Sequence, residues 1–565
     1  MSKIIYINFS NEVDQRSYSK LAQISKTLEP DNIDPNPPKI YQGHRTLYSI
    51  VNPVGTITTK DESILLGHCV CQNNWYSPLN PVEDGSYALI RSDQEMTEVV
   101  ADSVGSRALW YFKNKEIFIV ATSQRAIILF LESFEFNEKI IPWMLSTGTL
   151  GPDFSWDKRI TKLKPDSRII VYKEDWKLEE KNNEIVISES KRSYKEHKKK
   201  LYNAIQTSFK NFAFDLEKWV LPLSGGHDSR AILYLINNAL QNPGKIRSIT
   251  WGLAQSIHQK GNDAFVAKKV AEATGVQHKY YHTDMSNNSA QTILKRFIEN
   301  GEGRIDHISG YADGFAIWKT LFEDGVDGII RGDEGFGWVT AASPLRIRYH
   351  LGCALCTDYS NLSDYRKYGI PEQVNPEYMK QKESESLYAW RDRVYHRYRI
   401  PTVLSALSDL KLGYIEQSTP LLADQIIRTV RTLPDRLRTE KSLFKEIMHD
   451  FKPKLEYATK SATSAPMNIL KSGEMVSYLR KELKSEEAMR IFSPEFLHMI
   501  LENSVVSKGE STKTSFRLKL KLLFIKYAPQ YIKNRISSNR KLAVDSNILL
   551  FRVYIIIHMH RLLSK

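Results

Sequence analysis

The sequence predicts an α/β protein in which a parallel sheet covered by helices fills the larger part of the chain and a smaller, strand-rich domain precedes it. Three observations carry this. From residue 212 onward, short apolar strand signals alternate with amphipathic helix signals, the order that builds parallel sheets. Residues 1 to about 188 instead hold short β-branched and aromatic runs separated by polar turns. The two regimes meet at a lysine-rich amphipathic stretch, residues 188–211, where Leu201, Ile205 and Phe209 recur at helical spacing. The boundary is therefore expected near 189, giving domains 1–188 and 189–565, the second ending in a basic helical part from about 470.

Whole-chain limits agree with this division. A chain of 565 residues exceeds one compact domain, and 42% hydrophobic with 25% charged residues is a globular composition. Four cysteines exclude a disulfide scaffold and fit a reducing compartment. The start at Met1 shows no apolar signal segment, and the apolar run 548–559 is too short to span a bilayer, so a cytoplasmic location is expected.

The elements follow in order. Residues 4–8, 86–90, 98–101 and 117–121 read as strands, and residues 159–172 as a strand pair turning at Lys164-Pro165-Asp166-Ser167. After the boundary helix, residues 219–230 read as a short buried strand, a glycine turn and a helix start: Trp-Val-Leu-Pro-Leu-Ser224-Gly225-Gly226-His227-Asp228-Ser229-Arg230. Such a turn is a phosphate cradle. Gly225 and Gly226 can take backbone angles closed to other residues, and the helix N-terminus adds free N–H groups and a favourable dipole. Ser224 and Ser229 can donate hydroxyl hydrogen bonds, while Asp228 is a hard oxygen ligand suited to Mg²⁺. A second strand, 246–252, ends in Gly252. A helix runs from Asp263 to Gly275, residues 278–283 form a third strand, and residues 328–331 a fourth, leading into Gly332-Asp333-Glu334-Gly335-Phe336-Gly337.

The motif Ser-Gly-Gly-x-Asp-Ser resembles the pyrophosphate-binding loop of the ATP pyrophosphatase superfamily, and the chain resembles its asparagine synthetase branch. That resemblance implies an adenine-nucleotide α-hydrolase-like synthetase domain that splits ATP between its α and β phosphates and activates a carboxylate as an acyl-adenylate. Ser224, Gly225, Gly226, Asp228, Ser229, Gly252 and Gly332 would then bind the nucleotide, with Asp228 and Asp333 holding Mg²⁺. Aligned on Phe336 and Gly337, Asp333 takes the place of the family's metal-binding aspartate, and the family's upstream glutamate falls on Ile330. A shifted alignment lets Asp333 or Glu334 take that role instead. The landmarks around Pro420, Asp424, Pro434, Lys441 and Pro453 match the family's helical half, and Lys460 matches its active-site lysine, which can offset charge developing on the phosphates.

Residues 84–89, 102–111 and 121–127 resemble the family's N-terminal glutaminase domain, implying an α+β, Ntn-hydrolase-like sandwich. The family's nucleophilic cysteine is replaced by Ser2, and residues 68–83 are too short for its glutamine loop, so that domain is expected to be degenerate. Nitrogen would come from ammonia or a substrate amine. The resemblance implies ligation of a small, glycan-linked or peptide-linked carboxylate, with asparagine synthetase the nearest named activity. Lactam and lasso-peptide cyclases share the chemistry, and a non-catalytic scaffold keeping the fold is an alternative of another class. Cys69, Cys71, Cys353 and Cys356 also invite a zinc reading, against which stands their separation in the chain.

The net charge of +14 is unevenly spread: residues 501–565 hold thirteen Lys or Arg against three Asp or Glu. This basic region reads as a solvated helix face or as a contact for an anionic membrane surface or acidic partner, with residues 516–527 having a peripheral-membrane pattern. No specific nucleic-acid binding is expected.

Overall fold

The computed structural model describes residues 3–54, 57–70, 74–81, 84–210, 215–239, 246–284, 288–340, 343–507 and 542–565. Ser2, Cys71 and residues 516–527 lie outside the described residues.

The first part of the chain builds two six-stranded antiparallel sheets. Its strands are β1 (Ile4–Phe9), β2 (Lys39–Gln42), β3 (Thr46–Ile50), β4 (Thr58–Lys60), β5 (Ser63–Cys69), β6 (Gly85–Ser92), β7 (Met96–Ala101), β8 (Trp110–Lys113), β9 (Ile117–Ala121), β10 (Thr161–Lys162), β11 (Ser167–Tyr172) and β12 (Leu178–Asn182). Their orders are β10-β8-β9-β1-β3-β2 and β12-β11-β7-β6-β5-β4. Alternation along β1 explains the stacking. Ile4 and Tyr6 face the second sheet, among Ile64, Leu66 and Ile90, whereas Ile5 and Ile7 face outward beneath the helices Gln15–Thr27 and Gln124–Leu131. Both faces of β1 are covered, so it reads as an unbroken apolar run.

The predicted strand pair within 159–172 is corrected. β10 joins the first sheet through β8, and β11 joins the second between β7 and β12, so the two never pair. The stretch between them crosses from one sheet to the other, with Asp166 at φ 53° making the turn.

The later part builds a five-stranded parallel sheet from β13 (Trp219–Pro222), β14 (Arg247–Gly252), β15 (Gln277–His282), β16 (Gly328–Ile330) and β17 (Glu416–Ser418), in the order β15-β14-β13-β16-β17. The fifth strand lies inside a segment that the sequence assigns to a helical half. Three residues between a turn and Pro420 carry no periodicity, and the parallel register Gly328↔Glu416 defines them as a strand. Leu221 and Ile330 pack beneath the helices Tyr194–Lys210 and His227–Ala239, while Val220, Ile249 and Ile329 face the large core shared with the sandwich. The helix Ser546–Leu563 is buried along most of its length in that shared core, and Arg552 fixes it by donating to Asp306 at 2.7 Å and to the Leu145 carbonyl at 2.8 Å. Among the described residues, no helix is long and apolar enough to cross a membrane.

Buried charge stitches the sandwich to the parallel sheet. The Arg107 guanidinium reaches the Glu416 carboxylate and the Gln417 carbonyl on the edge strand β17. Arg431 reaches the Ser103 carbonyl at 2.7 Å and Asp166 at 3.4 Å, and Arg397 grips Asp153 through both guanidinium nitrogens at 3.0 and 2.7 Å. Lys162 donates to the Pro401 carbonyl at 2.6 Å, and burial lowers its ammonium to about 7.

Candidate active site

The parallel sheet reverses direction of growth at β13. The chain adds β14 and β15 on one side, then returns to add β16 and β17 on the other. Loops after β13 and β16 therefore diverge at the carboxyl ends of adjacent strands, and open sheets bind ligands in the crevice that such divergence leaves. A cleft of about 320 Å³ lies there.

The loop after β13 forms its floor. The Ser224 N–H donates to Ser229 Oγ at 3.0 Å, the two hydroxyls lie 2.9 Å apart, and the Gly226 N–H donates to Ser224 Oγ at 3.2 Å. These short-range bonds draw the turn tight against the helix His227–Ala239, whose first turn carries Asp228. Neither glycine has a positive φ, which corrects the expected reason for them. A Cβ on Gly225 would lie 2.5 Å from Ala458 Cβ and 2.9 Å from Val266 Cβ, so this position needs glycine because other chain segments approach it. Gly226 meets only Ser224 Oγ, at 3.2 Å. Gly332, after β16, would bring a Cβ 3.0 Å from Asp228 Cβ, and that approach closes the two loops onto each other.

Of three linked charged groups, Asp228 lines the cleft, and Lys441 and Glu334 stand behind it. Asp228 accepts from Lys441 Nζ at 2.8 Å through Oδ2, while its Oδ1 is buried without a partner. Lys441 also pairs with Glu334 at 2.9 Å. Glu440 and Lys441 sit at φ 56° and 59°, two consecutive left-handed side-chain-bearing residues, a strained backbone that points one ammonium at two carboxylates. Burial pushes the Glu334 carboxyl up to about 7, with Lys441 opposing and Asp228 reinforcing, and the Phe336 N–H donates to it at 2.6 Å. Burial opposes the charge on Lys441, but Glu334 and Asp228 outweigh it and hold its ammonium above the ordinary lysine range. Across the cleft, Arg331 Nη2 donates to Asp333 Oδ1 at 3.0 Å.

Ser224, Gly226, Asp228, Ser229, Gly332 and Asp333 thus line one cleft. Glu334 lies behind it, 3% exposed, engaged by Lys441. Gly252 lies outside the lining: its Cβ would meet the Ala462 carbonyl at 2.5 Å, so it serves the packing of the 458–462 segment on β14. That segment crosses the loop after β13, with the Ala458 N–H donating to the Gly225 carbonyl at 3.0 Å and the Lys460 N–H to the Gly261 carbonyl at 3.2 Å. The Lys460 backbone is therefore fixed near the loop, while its side chain is exposed and outside the cleft lining.

Four functional candidates escaped sequence reasoning. Lys441 was visible only as a family landmark, and Arg331 only as a strand end. Lys411 lines the cleft at 2% exposure, and burial lowers its ammonium well below the ordinary lysine range. Tyr311 lies beside it, its hydroxyl 3.4 Å from Lys411 Nζ. Nothing local in the sequence marks Lys411 or Tyr311.

No zinc site forms. Cys353 and Cys356 are buried free thiols, burial pushes both up to about 12, and Cys69 is disulfide-bonded, so a four-thiolate set cannot assemble. Among the described residues, no group of three or more His, Cys, Asp or Glu is placed to hold a metal.

A family model described as asparagine synthase matches residues 202–307, which span β13 to β15 and the loop after β13. This match supports an asparagine synthetase-like family. At the level of that family it supports an ATP-using, amide-bond-forming synthetase. No curated protein sequence matches the chain. Solved structures similar to parts of it include a glutamine phosphoribosylpyrophosphate amidotransferase from B. subtilis complexed with ADP and GMP, at 10% identity and TM-score 0.20, covering 51% of this chain and 67% of that one. Another is the allosteric regulatory enzyme of purine biosynthesis, at 10% identity and TM-score 0.22, covering 51% and 82%.

Proposed function

We propose that this asparagine synthetase-like chain is an ATP-dependent ligase that activates a carboxylate as an acyl-adenylate and passes the acyl group to ammonia or a substrate amine. In the first step a carboxylate oxygen bonds to the α-phosphorus as the bond to pyrophosphate breaks. In the second, nitrogen bonds to the acyl carbon, AMP leaves with the bond electrons, and the nitrogen gives up its proton.

One observation carries this most directly: at the sheet's switch point, a hydroxyl-lined loop and helix start carry a buried carboxylate oxygen, Asp228 Oδ1, that no described protein group satisfies. A lone buried anionic oxygen is costly unless a cation completes it. Asp228 and Asp333 would hold Mg²⁺, which when bound neutralises phosphate oxygens. Ser224, Ser229 and the loop N–H groups would grip the departing pyrophosphate. Lys460 would swing in from the rim as charge builds on the phosphates. The adenine would lie toward Gly252 and β14.

A division near residue 189, a degenerate glutaminase-like sandwich and a cytoplasmic location belong to the same proposal. So does a peripheral contact with an anionic surface through the basic C-terminal region. Support for the inactive sandwich comes from Ser2 standing where the family has cysteine.

The test is ATP turnover with candidate carboxylates and ammonia. AMP and pyrophosphate should form together, only when an acid is present. ADP and phosphate as products, or no turnover with any small, glycan-linked or peptide-linked acid, would overturn the proposal.

A further inference from the structure

A second cavity, of about 360 Å³, opens where the sandwich meets the helix Asp424–Val430, and it shares no lining residue with the cleft. Its sandwich side is the outer face of the second sheet, because Tyr87 and Val100 project away from the inter-sheet core that holds Ala88 and Val99. The cavity is therefore separate from both the cleft and the space between the two sheets.

The wall answers its own charges. Arg168 donates to Glu98 at 2.9 Å, Arg428 donates to Asp424 at 2.6 Å and to Asp166 at 3.3 Å, and Lys181 Nζ lies 3.2 Å from Glu179. Asp166 also accepts from Asn183 at 3.1 Å and from Arg431 at 3.4 Å. An ion entering here finds every lining charge already paired, and must break a pair to gain a partner. Hydrogen-bonding capacity, in contrast, is left over. Ser103 is 3% exposed, and its hydroxyl is buried without a partner among the described residues. Among the same residues the Tyr87 hydroxyl has no partner either, Arg168 uses only Nη1, and Asp424 uses only Oδ2.

Open donors and open acceptors thus line one polar cavity. An apolar ligand would strand them at the cost of unmade hydrogen bonds. A hydroxyl both donates and accepts, so an uncharged ligand with several hydroxyls matches this wall where an ion or an apolar body does not. We infer that the cavity binds a neutral saccharide between the sandwich and the helix Asp424–Val430, with Ser103 and Tyr87 hydrogen-bonding its hydroxyls. No residue of the cleft takes part, so the inference stands without the synthetase reading.

The experiment uses the full chain without nucleotide and titrates glucose, galactose, mannose, N-acetylglucosamine and maltose by calorimetry, with inorganic phosphate and glutamate as ionic probes. At least one of the sugars should bind at millimolar concentration or below and raise the melting temperature. Its binding should slow amide exchange at residues 100–104, 166–168 and 424–428, which wall the cavity. Ser103→Ala deletes a hydroxyl that no described protein group satisfies, so this variant should melt at the wild-type temperature or higher. The same variant should bind the sugar about fivefold more weakly, the size of one hydrogen bond, and Tyr87→Phe should do likewise. Maltose binding tighter than glucose would mark a glycan chain as the occupant, and the reverse a free monosaccharide. No binding by any of the five sugars would overturn the inference, as would exchange protection confined to other residues. So would sugar affinity that is unchanged in both variants, or phosphate or glutamate binding to the cavity in place of the sugars. Failure of ATP cleavage would count against the synthetase reading alone.

Discussion

Two regions of this molecule concentrate buried charge, and they treat it in opposite ways. Along the seam between the sandwich and the parallel sheet, the arginines are matched, Arg107 with Glu416, Arg397 with Asp153 and Arg431 with Asp166, while Lys162 meets only carbonyl and hydroxyl oxygens. At and behind the cleft, among the described residues, valences stay open: Asp228 Oδ1 has no partner, Lys411 has no counter-ion, and Lys441 serves two carboxylates at once. A paired buried charge specifies how parts dock, because removing either member leaves the other stranded. An open one is tolerated where a ligand completes it. The two regions should therefore respond differently to the same kind of substitution.

The largest effect is expected in the seam. Arg107→Met removes the guanidinium from Glu416, which is 2% exposed, and should cost about 3–5 kcal/mol of stability by chemical denaturation. Adding Glu416→Gln should recover much of that loss. Equal stability of the single variant and wild type would show that the seam is no better matched than the cleft.

In the cleft, Asp228→Ala should leave the unfolding midpoint nearly unchanged, since Lys441 still has Glu334, while pyrophosphate release from ATP falls by about 10²–10³-fold. Unfolding of this variant, or undiminished turnover, would erase the contrast between the regions.

An acid titration probes another matched pair, Arg552 with Asp306. Burial alone would raise Asp306, but Arg552 and His307 overcome it and hold the carboxyl at about 2. Its folded value lies below the ordinary aspartate value of about 3.9, so its contribution is present above that value and is lost as pH falls from there through about 2. The contribution is on the order of 2–3 kcal/mol, from the size of the displacement. Asp306→Asn should remove this part of the acid dependence and loosen the helix Ser546–Leu563, read by amide exchange along that helix.

The smallest difference separates two neighbouring glycines. Gly225→Ala pushes a methyl within 2.5 Å of Ala458 and should cost about 1–3 kcal/mol while weakening ATP binding, because the 458–462 segment is displaced. Gly226→Ala meets one hydroxyl at 3.2 Å and should cost about 0.5 kcal/mol or less.

Local chemistry made part of this legible from the chain alone. A strand, a glycine turn with two hydroxyls and a helix start are written within residues 219–236, and hydrogen bonds spanning five residues or fewer close that turn. Alternating strand and helix periodicity after residue 212 likewise announced a parallel sheet, and four of its five strands were placed. What the chain could not announce is any contact whose two halves lie far apart in sequence. Lys441 meets Asp228 across 213 residues, Arg107 meets Glu416 across 309, and Glu416–Ser418 is a strand only because Gly328–Ile330 lies beside it. The same holds for Lys411: a lysine is surface charge by default, and only the packing of Tyr311, Trp318 and Leu407 around it makes it a buried amine facing the cleft. Short-range bonds and side-chain periodicity are properties of neighbouring residues, and so a sequence states them. Which charges are desolvated, and which of those find a partner, depends on the whole fold's exclusion of water, and so only the tertiary structure decides it.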